Sequence, residues 1–398
     1  MVRISHALPN VSKIVETEGT LKSPGKAKYP GDAIDYCKFG DNYAVYNRVS
    51  GTLLVLNSSA FVIFELLGQG ATSSEAARMI ASNSGATYDS ILEDIDTQIN
   101  QWRDAGLFDE VVKEPEHALL PDCHLKAIFQ SGEYKFEFSS NNQKTFALFC
   151  DLLAPLSAGE GLSSGVVPSV LSVTVENEKF SVWFDGERLI GPDDFSPARH
   201  TVIARIANMA ADDRAGCVFH ASAFRINGKT FLVSGRSGAG KSTLTASMVA
   251  LDAIYLADDL VAMNEPLNAL CPNPVRLNVK EKSFKIISKL YPDLQTATDW
   301  IVGGVNTRYV QPARLPKFNS CAVDYLIFPK FDSRATAGMK RLESRDALIK
   351  LATNGIDLSR KPGAVQRLVN FISNTPCYDL NYSSTQEAYD LINQISLT

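Results

Sequence analysis

A chain of 398 residues is too long for one ordinary hydrophobic core and divides into two or three domains, which its 45% hydrophobic content can fill. A net charge of only -5, with the basic residues scattered, excludes a nucleic-acid groove and a membrane-surface helix. The seven cysteines are widely spaced without a C-x-x-C pair, which argues against disulfides and a zinc knuckle. No apolar run approaches a membrane span and the first residues lack the apolar core of a signal peptide, so a soluble cytoplasmic protein is expected, with neither nucleic acid nor membrane as partner. There is no internal repeat.

Residues 1–35 are rich in Lys, Gly, Pro and Ser without periodicity and read as an extended arm. From Tyr43 the pattern changes. YAVYNRV and TLLVL are strand-like runs turning at Ser50 and Gly51, and Asn57 or Ser58 caps a helix over AFVIFELL. Thr72 with Glu75 makes a capping box for a second helix, and Gly85 separates it from a third in which Ile91, Ile95, Ile99 and Trp102 share one face. Residues 36–115 thus form a compact unit of hairpin plus three helices. The layout over residues 45–80, closed by WRDAGLF at 102–108, resembles the PqqD-like family, the peptide-recognition domains of ribosomal-peptide modification systems. That resemblance implies a small winged-helix-like α+β fold that holds a precursor or leader peptide as an added strand beside the sheet edge and against the last helix. A purely structural winged-helix domain is the alternative.

Residues 111–123 (VVKEPEHALLPDC) have the prolines and charges of a linker. Beyond them come AIFQ, KFEF, a helical FALFCDLLAPL and a Gly/Ser-rich break at 157–165. VLSVTVE and KFSVWF then read as a hairpin around Glu176, Asn177 and Glu178, followed by a helix over HTVIARIANMAA from His200. This region carries no chemistry of its own.

Residues 217–234 read as two strand runs turning at Asn227 and Gly228, which feed FLVSGRSGAGKSTLTASMVAL at 231–251. The order is strand, glycine-rich loop, helix, and the spacing Gly235-x4-Gly240-Lys241-Ser242 is that of a phosphate-binding loop in an α/β domain. Its glycines let successive backbone N–H groups converge on phosphate oxygens, and the following helix adds its N-terminal N–H groups. Gly235, Arg236, Ser237, Gly238, Ala239, Gly240, Lys241, Ser242 and Thr243 are therefore the candidate nucleotide contacts. Lys241 would reach the β- and γ-phosphates of ATP and the Ser242 hydroxyl would face a magnesium ion. Downstream, AIYLADDLVAMN reads as an apolar strand ending in the acidic pair Asp258 and Asp259. Adjacent carboxylates at a strand end are costly unless a cation lies between them, and magnesium-nucleotide supplies one.

His220 stands fifteen residues before Gly235, and Asp258 and Asp259 stand sixteen and seventeen after Ser242. This order resembles HPr kinase/phosphorylase and related kinases, and the resemblance continues through PNPVRLNVKEKSF, VNTRYVQPARL, LIFPKF and TPCYDLNY, over about residues 124–398. It implies an α/β phosphate-loop kinase domain of the kind shared with phosphoenolpyruvate carboxykinase. One of Asp258 and Asp259 would take the proton of an attacking hydroxyl while the other, with Ser242, holds magnesium, and His220 would orient the pair. Lys280, Arg308 and Arg314 fall in segments that the family places near substrate. The chain departs from the family at Arg236, where an acidic residue is usual, and at RLNVKEKS, where E-I-R-G is usual, which argues against reverse phosphorolysis. The resulting expectation is an ATP-dependent serine/threonine peptide kinase whose acceptor is captured by residues 36–115. A small-molecule kinase and an ATP-responsive peptide-binding protein without turnover are the alternatives. The identity of the acceptor is open, as is the oligomeric state, a homo-oligomer included.

Overall fold

The structure, a computed structural model, describes residues 33–108, 119–156, 168–211 and 215–397. The arm as far as residue 32, residues 111–118 of the linker and the Gly/Ser break at 157–165 lie outside the described residues. The chain is mixed α/β and divides into two units, Met1–Lys113 with Leu358–Asn370, and Glu114–Asp357 with Phe371–Thr398.

In the first unit β1 (Ile34–Phe39), β2 (Asn42–Asn47) and β3 (Leu53–Asn57) form an antiparallel sheet in that order. The hairpin patterning signals only β2 and β3. Strand β1 was hidden because its run IDYCKF buries a single residue, Cys37, and so lacks a clean period of two. Helix α1 (Ser58–Gly68) starts at Asn57, whose side chain accepts from Ala60 N. Helix α2 (Ser73–Ser84) carries the Thr72 and Glu75 capping box and stops at Gly85, where φ is +73°. Helix α3 (Tyr88–Asp104) buries Ile91, Ile95 and Trp102, and Trp102 meets Phe64 and Phe108 edge-on. Such tilted aromatic contacts add to the area they bury. Residues from late in the chain complete this unit: Gly363 N donates to Asp35 Oδ2 on β1 at 2.8 Å, and Tyr46 Oη donates to the Leu358 carbonyl at 2.8 Å. Beyond β3 no further strand pairs among the described residues.

The second unit opens with β4 (Leu125–Ser131), β5 (Tyr134–Ser140), α4 (Gln143–Leu153), β6 (Ser169–Glu176), β7 (Lys179–Phe184), β8 (Glu187–Asp193) and α5 (Phe195–Ala210). Its strands form a five-stranded sheet in sequence order, parallel only between β5 and β6. Asn177 and Glu178 both take left-handed φ at the β6–β7 turn, as a tight hairpin requires. Helices α4 and α5 pack on the sheet through Phe149, Leu152, Val202 and Ile206. Helix α5 begins at Phe195 and not at His200, because Pro197 falls in the first turn, where its missing N–H costs no intrahelical bond.

Then follow β9 (Ala215–Phe219), β10 (Ala221–Ile226), β11 (Lys229–Ser234), α6 (Lys241–Ala250), β12 (Ile254–Ala257), β13 (Val261–Asn264), β14 (Leu270–Cys271), β15 (Leu277–Lys280) and α7 (Phe284–Ile287). The rest of the chain is β16 (Trp300–Val302), β17 (Val305–Val310), β18 (Tyr325–Phe331), β19 (Gly338–Arg341), α8 (Ser344–Asn354), β20 (Ile356–Leu358), α9 (Ala364–Asn374), β21 (Cys377–Tyr382) and α10 (Thr385–Ser396), of which Leu358–Asn370, with most of α9, belongs to the first unit. A six-stranded sheet runs β12-β10-β11-β18-β21-β19, a four-stranded one β14-β13-β9-β20, and a three-stranded one β15-β17-β16. In the six-stranded sheet β11, β18 and β21 are parallel, so their carboxyl ends lie on one edge. Helices α6 and α10 cover this sheet around Phe231, Val233, Leu244, Met248, Leu380 and Ile392.

CVFHASAFRI, expected to be continuous, splits at His220 into β9 and β10, whereas the strand of AIYLADDLVAMN ends at its acidic pair as expected, β12 stopping at Ala257 and a new strand, β13, starting at Val261. In each case one half joins the six-stranded sheet and the other the four-stranded sheet, and the halves pair with each other, β10 with β12 and β9 with β13. The two breaks therefore lie side by side.

Candidate active site

The segment 231–251 has the strand–loop–helix order that its sequence implied, with β11 ending at Ser234 and α6 starting at Lys241. Gly238 and Gly240 take φ of +83° and +97°, a region that residues with a Cβ enter only at a cost. Gly240 is constrained twice, since a Cβ there would also lie 2.9 Å from Tyr382 Oη. Gly235 is buried and a Cβ on it would meet the Ala239 methyl at 3.0 Å. Arg236, Ser237 and Gly238 are exposed at the loop's outer rim.

Lys241 is buried, and its Nζ donates to the Gly235 carbonyl at 2.6 Å and to that of Arg236 at 3.4 Å, which holds the ammonium at the loop. Burial lowers its pKa, against the attraction of Asp258 and Asp259. Ser242 Oγ donates to Asp258 Oδ1 at 2.9 Å, tying the loop helix to the end of β12. Thr243 Oγ1 and Ser283 Oγ share a hydrogen bond of 2.6 Å. Lys280, at the end of β15, donates from Nζ to Ser237 Oγ at 3.2 Å and so belongs to the rim of the loop.

The aspartates are adjacent in sequence and differ in environment. Asp258 is 1% exposed, and burial first, then the charge of Asp259, pushes its carboxyl up to about 6. Hydrogen bonds from Ser242 and from the Asn278 N–H at 3.3 Å oppose that rise. For Asp259 burial acts in the same upward sense, and Arg199 outweighs it, with His220 adding, so the carboxyl is held down to about 2. Arg199 Nη1 donates to Asp259 Oδ2 at 2.8 Å, and His220 Nδ1 lies 3.5 Å from Asp259 Oδ1. Burial, then Lys241, lowers the His220 pKa, against the attraction of Asp259.

Asp259 has φ of +75°, unusual for a residue with a Cβ, and its carbonyl accepts from Ala221 N at 3.2 Å. The sheet switch accounts for this. The chain must turn sharply between β12 and β13, and β10 fixes the turning residue by its backbone. His220 N likewise donates to the Gly355 carbonyl at 3.0 Å where β9 gives way to β10.

Arg199 is a residue that the sequence reading missed. It lies on α5, in a region assigned no chemistry, is 3% exposed, and its guanidinium lies 5.6 Å over the Tyr309 ring. Burial opposes its charge, but Tyr309 and Asp259 outweigh burial and hold it protonated. The one available signal was an arginine on the apolar face of an otherwise well-patterned helix, beside Ala198 and Val202.

Arg308 and Arg314 make their contacts elsewhere. Arg308 pairs with Asp299 at 2.7 Å, donates to the Leu294 carbonyl and lies over the Phe284 ring. Arg314 is ion-paired with Asp252 and donates to its carbonyl.

The donor set suits a hard divalent cation and a polyphosphate. Asp258 and Ser242 offer oxygen ligands at one place, and Gly238 and Gly240 hold the left-handed φ values that turn the loop ahead of α6. No family model matches the chain, and no curated protein matches it. One solved structure, the Hpr(Ser) kinase/phosphatase from Coxiella burnetii, is similar over 45% of this chain and 96% of that one, at 11% identity and a TM-score of 0.24. A TM-score that low does not equate the two folds.

Proposed function

We propose that the chain is an ATP- and magnesium-dependent phosphotransferase that transfers the γ-phosphoryl group to a hydroxyl. The observation that carries this reading is the 2.9 Å hydrogen bond between Ser242 and Asp258, which joins the first helical turn of a phosphate loop to a buried carboxylate at a neighbouring strand end. A glycine-rich turn preceding a helix by chance has no reason to carry that partner. When bound, magnesium would neutralise phosphate charge, with Ser242 and Asp258 as its protein ligands. Lys241 turns its ammonium from the loop carbonyls to the phosphate oxygens. Asp259, kept ionised by Arg199 and flanked by His220, orients the acceptor hydroxyl and takes its proton. A weakly basic carboxylate suffices there, because phosphoryl transfer passes through a loose transition state and depends mainly on positioning.

For the acceptor we propose a Ser or Thr on a precursor peptide or small protein held by the first unit, read as a PqqD-like, winged-helix-like module. What supports this is its small antiparallel sheet, in which β3 has no strand on its outer side among the described residues, a geometry open to strand addition. Tethering a peptide in this way raises its effective concentration at the transfer site. Incubation of the full chain with γ-labelled ATP and candidate precursor peptides tests the reading. Label on a peptide Ser or Thr supports it. Label only on a small-molecule alcohol would refute peptide capture while leaving the phosphotransferase intact.

A further inference from the structure

In the six-stranded sheet the order β12-β10-β11-β18 puts Asp258 and the strand of the phosphate loop in a fixed relation. Ser242 and Asp258 draw the metal-binding end of a triphosphate toward the β12 side of β11. A nucleotide lying along the loop must then direct its other end, the base, toward the opposite side, where β18 runs parallel to β11. Ligands of such sheets sit outside the carboxyl ends of parallel strands. The residue at the carboxyl end of β18 is Phe331.

Phe331 is 46% exposed, and among the described residues of the second unit it is the one exposed Phe, Tyr or Trp. Its Cβ lies 3.8 Å from where a Cβ on Gly240 would stand, so the ring borders the phosphate loop. The ring is held and not free-swinging. Phe331 occupies the last register position of the β18–β21 ladder opposite Tyr382, Asp332 N donates to the Tyr382 carbonyl at 3.1 Å, and the Tyr382 ring meets Phe331 at 5.6 Å with planes 64° apart. Tyr382 is itself 1% exposed and forms a rigid backing. An exposed aromatic face fixed by a buried one, beside the phosphate loop on the side of β18, is a surface for a planar ring. We infer that Phe331 is the stacking platform for the base of the nucleotide whose phosphates enter the loop at residues 235–240. The inference rests on the phosphate-loop reading and goes beyond it by placing the nucleoside.

The test compares two ligands on the full-length chain with magnesium present, ATP and inorganic tripolyphosphate, by titration calorimetry. Phe331→Ala weakens ATP binding by about tenfold, the usual order for a lost base–aromatic stack, and leaves tripolyphosphate binding within about twofold of wild type. Phe331→Tyr restores ATP binding. Equal ATP affinity in Phe331→Ala and wild type overturns the inference while leaving the phosphate loop standing. Parallel loss of ATP and tripolyphosphate binding in Phe331→Ala overturns it too, because the ring would then be supporting Gly240 and not the base. A wild-type chain that binds neither ligand overturns the inference together with the phosphate-loop reading.

Discussion

Arg199 Nη1 lies 2.8 Å from Asp259 Oδ2 across 60 residues of chain, with both side chains shielded, at 4% and 17% exposure. Removing one partner of such a pair leaves an uncompensated buried charge, the expensive case for an ion pair. Arg199→Ala should therefore destabilise the second unit by about 3–5 kcal/mol in urea denaturation at pH 7. Arg199→Lys, which keeps the charge but loses the planar fork, should fall between it and wild type. Wild-type stability in Arg199→Ala would mean that Asp259 is held by its backbone turn alone.

The two aspartates should respond oppositely to neutralisation. The folded-state value of Asp258, about 6, lies above the ordinary carboxylate value of 3.8. Its contribution to stability is thus fully present below about pH 4 and lost as pH rises through 6. Asp258→Asn, measured without metal or nucleotide, should be more stable than wild type by about 1–2 kcal/mol at pH 7, and the gap should close below about pH 4. Asp259 has a lowered value, about 2 in the fold, so its contribution is present above about pH 4 and lost as pH falls toward 2. Asp259→Asn should accordingly be less stable than wild type at pH 7. Thermal melts of both variants across pH 3.5–8 check the signs, and equal shifts in one direction would contradict the separate environments described above.

Gly240 combines a φ of +97° with a Cβ position 2.9 Å from Tyr382 Oη. Gly240→Ala should cost about 1–3 kcal/mol by its backbone alone. Adding Tyr382→Phe relieves the close approach but not the dihedral, so the double variant should regain only part of the loss in thermal denaturation. Complete recovery would show that sterics alone set this position.

Much of the local structure was legible because it depends on short-range chemistry. Asn227 and Gly228 both take left-handed φ at the β10–β11 turn, Thr72 and Glu75 form their reciprocal cap, and the glycine-rich loop at 235–240 sits between strand and helix. The losses came from long-range pairing. A run such as CVFHASAFRI looks like one strand because both halves are apolar, and nothing local says that His220 divides it between two sheets, or that the chain re-enters a different sheet after Asp259. Arg199 was invisible for the same reason, as its partner lies across the fold. Lys280, Arg308 and Arg314 were named from a resemblance alone; Lys280 contacts Ser237 at the loop, whereas Arg308 and Arg314 pair with Asp299 and Asp252.

Peptide capture makes a prediction about one edge of the first unit. Asn47 N donates to the Thr52 carbonyl at 2.9 Å, and with the β2–β3 register this alternation directs the Leu53 and Val55 N–H groups away from β2. Val55→Pro removes an outward donor without removing a bond to β2, as an edge strand tolerates. In fluorescence-anisotropy titrations of the full chain with a labelled leader peptide, it should weaken binding by about five- to tenfold, the worth of roughly one hydrogen bond. ATP turnover should be unchanged. Undiminished peptide binding would exclude addition at the outer edge of β3.

The central claim is that Lys241, Ser242 and Asp258 act together on the phosphates of ATP, and turnover of γ-labelled ATP in the presence of magnesium tests it most directly. Wild-type protein should release or transfer label. Lys241→Ala and Asp258→Asn should each reduce kcat by at least about a hundredfold, since charge neutralisation and positioning supply nearly all of the catalysis in such a reaction. Near-normal turnover in Lys241→Ala, in protein whose far-ultraviolet circular dichroism matches wild type, would contradict the account.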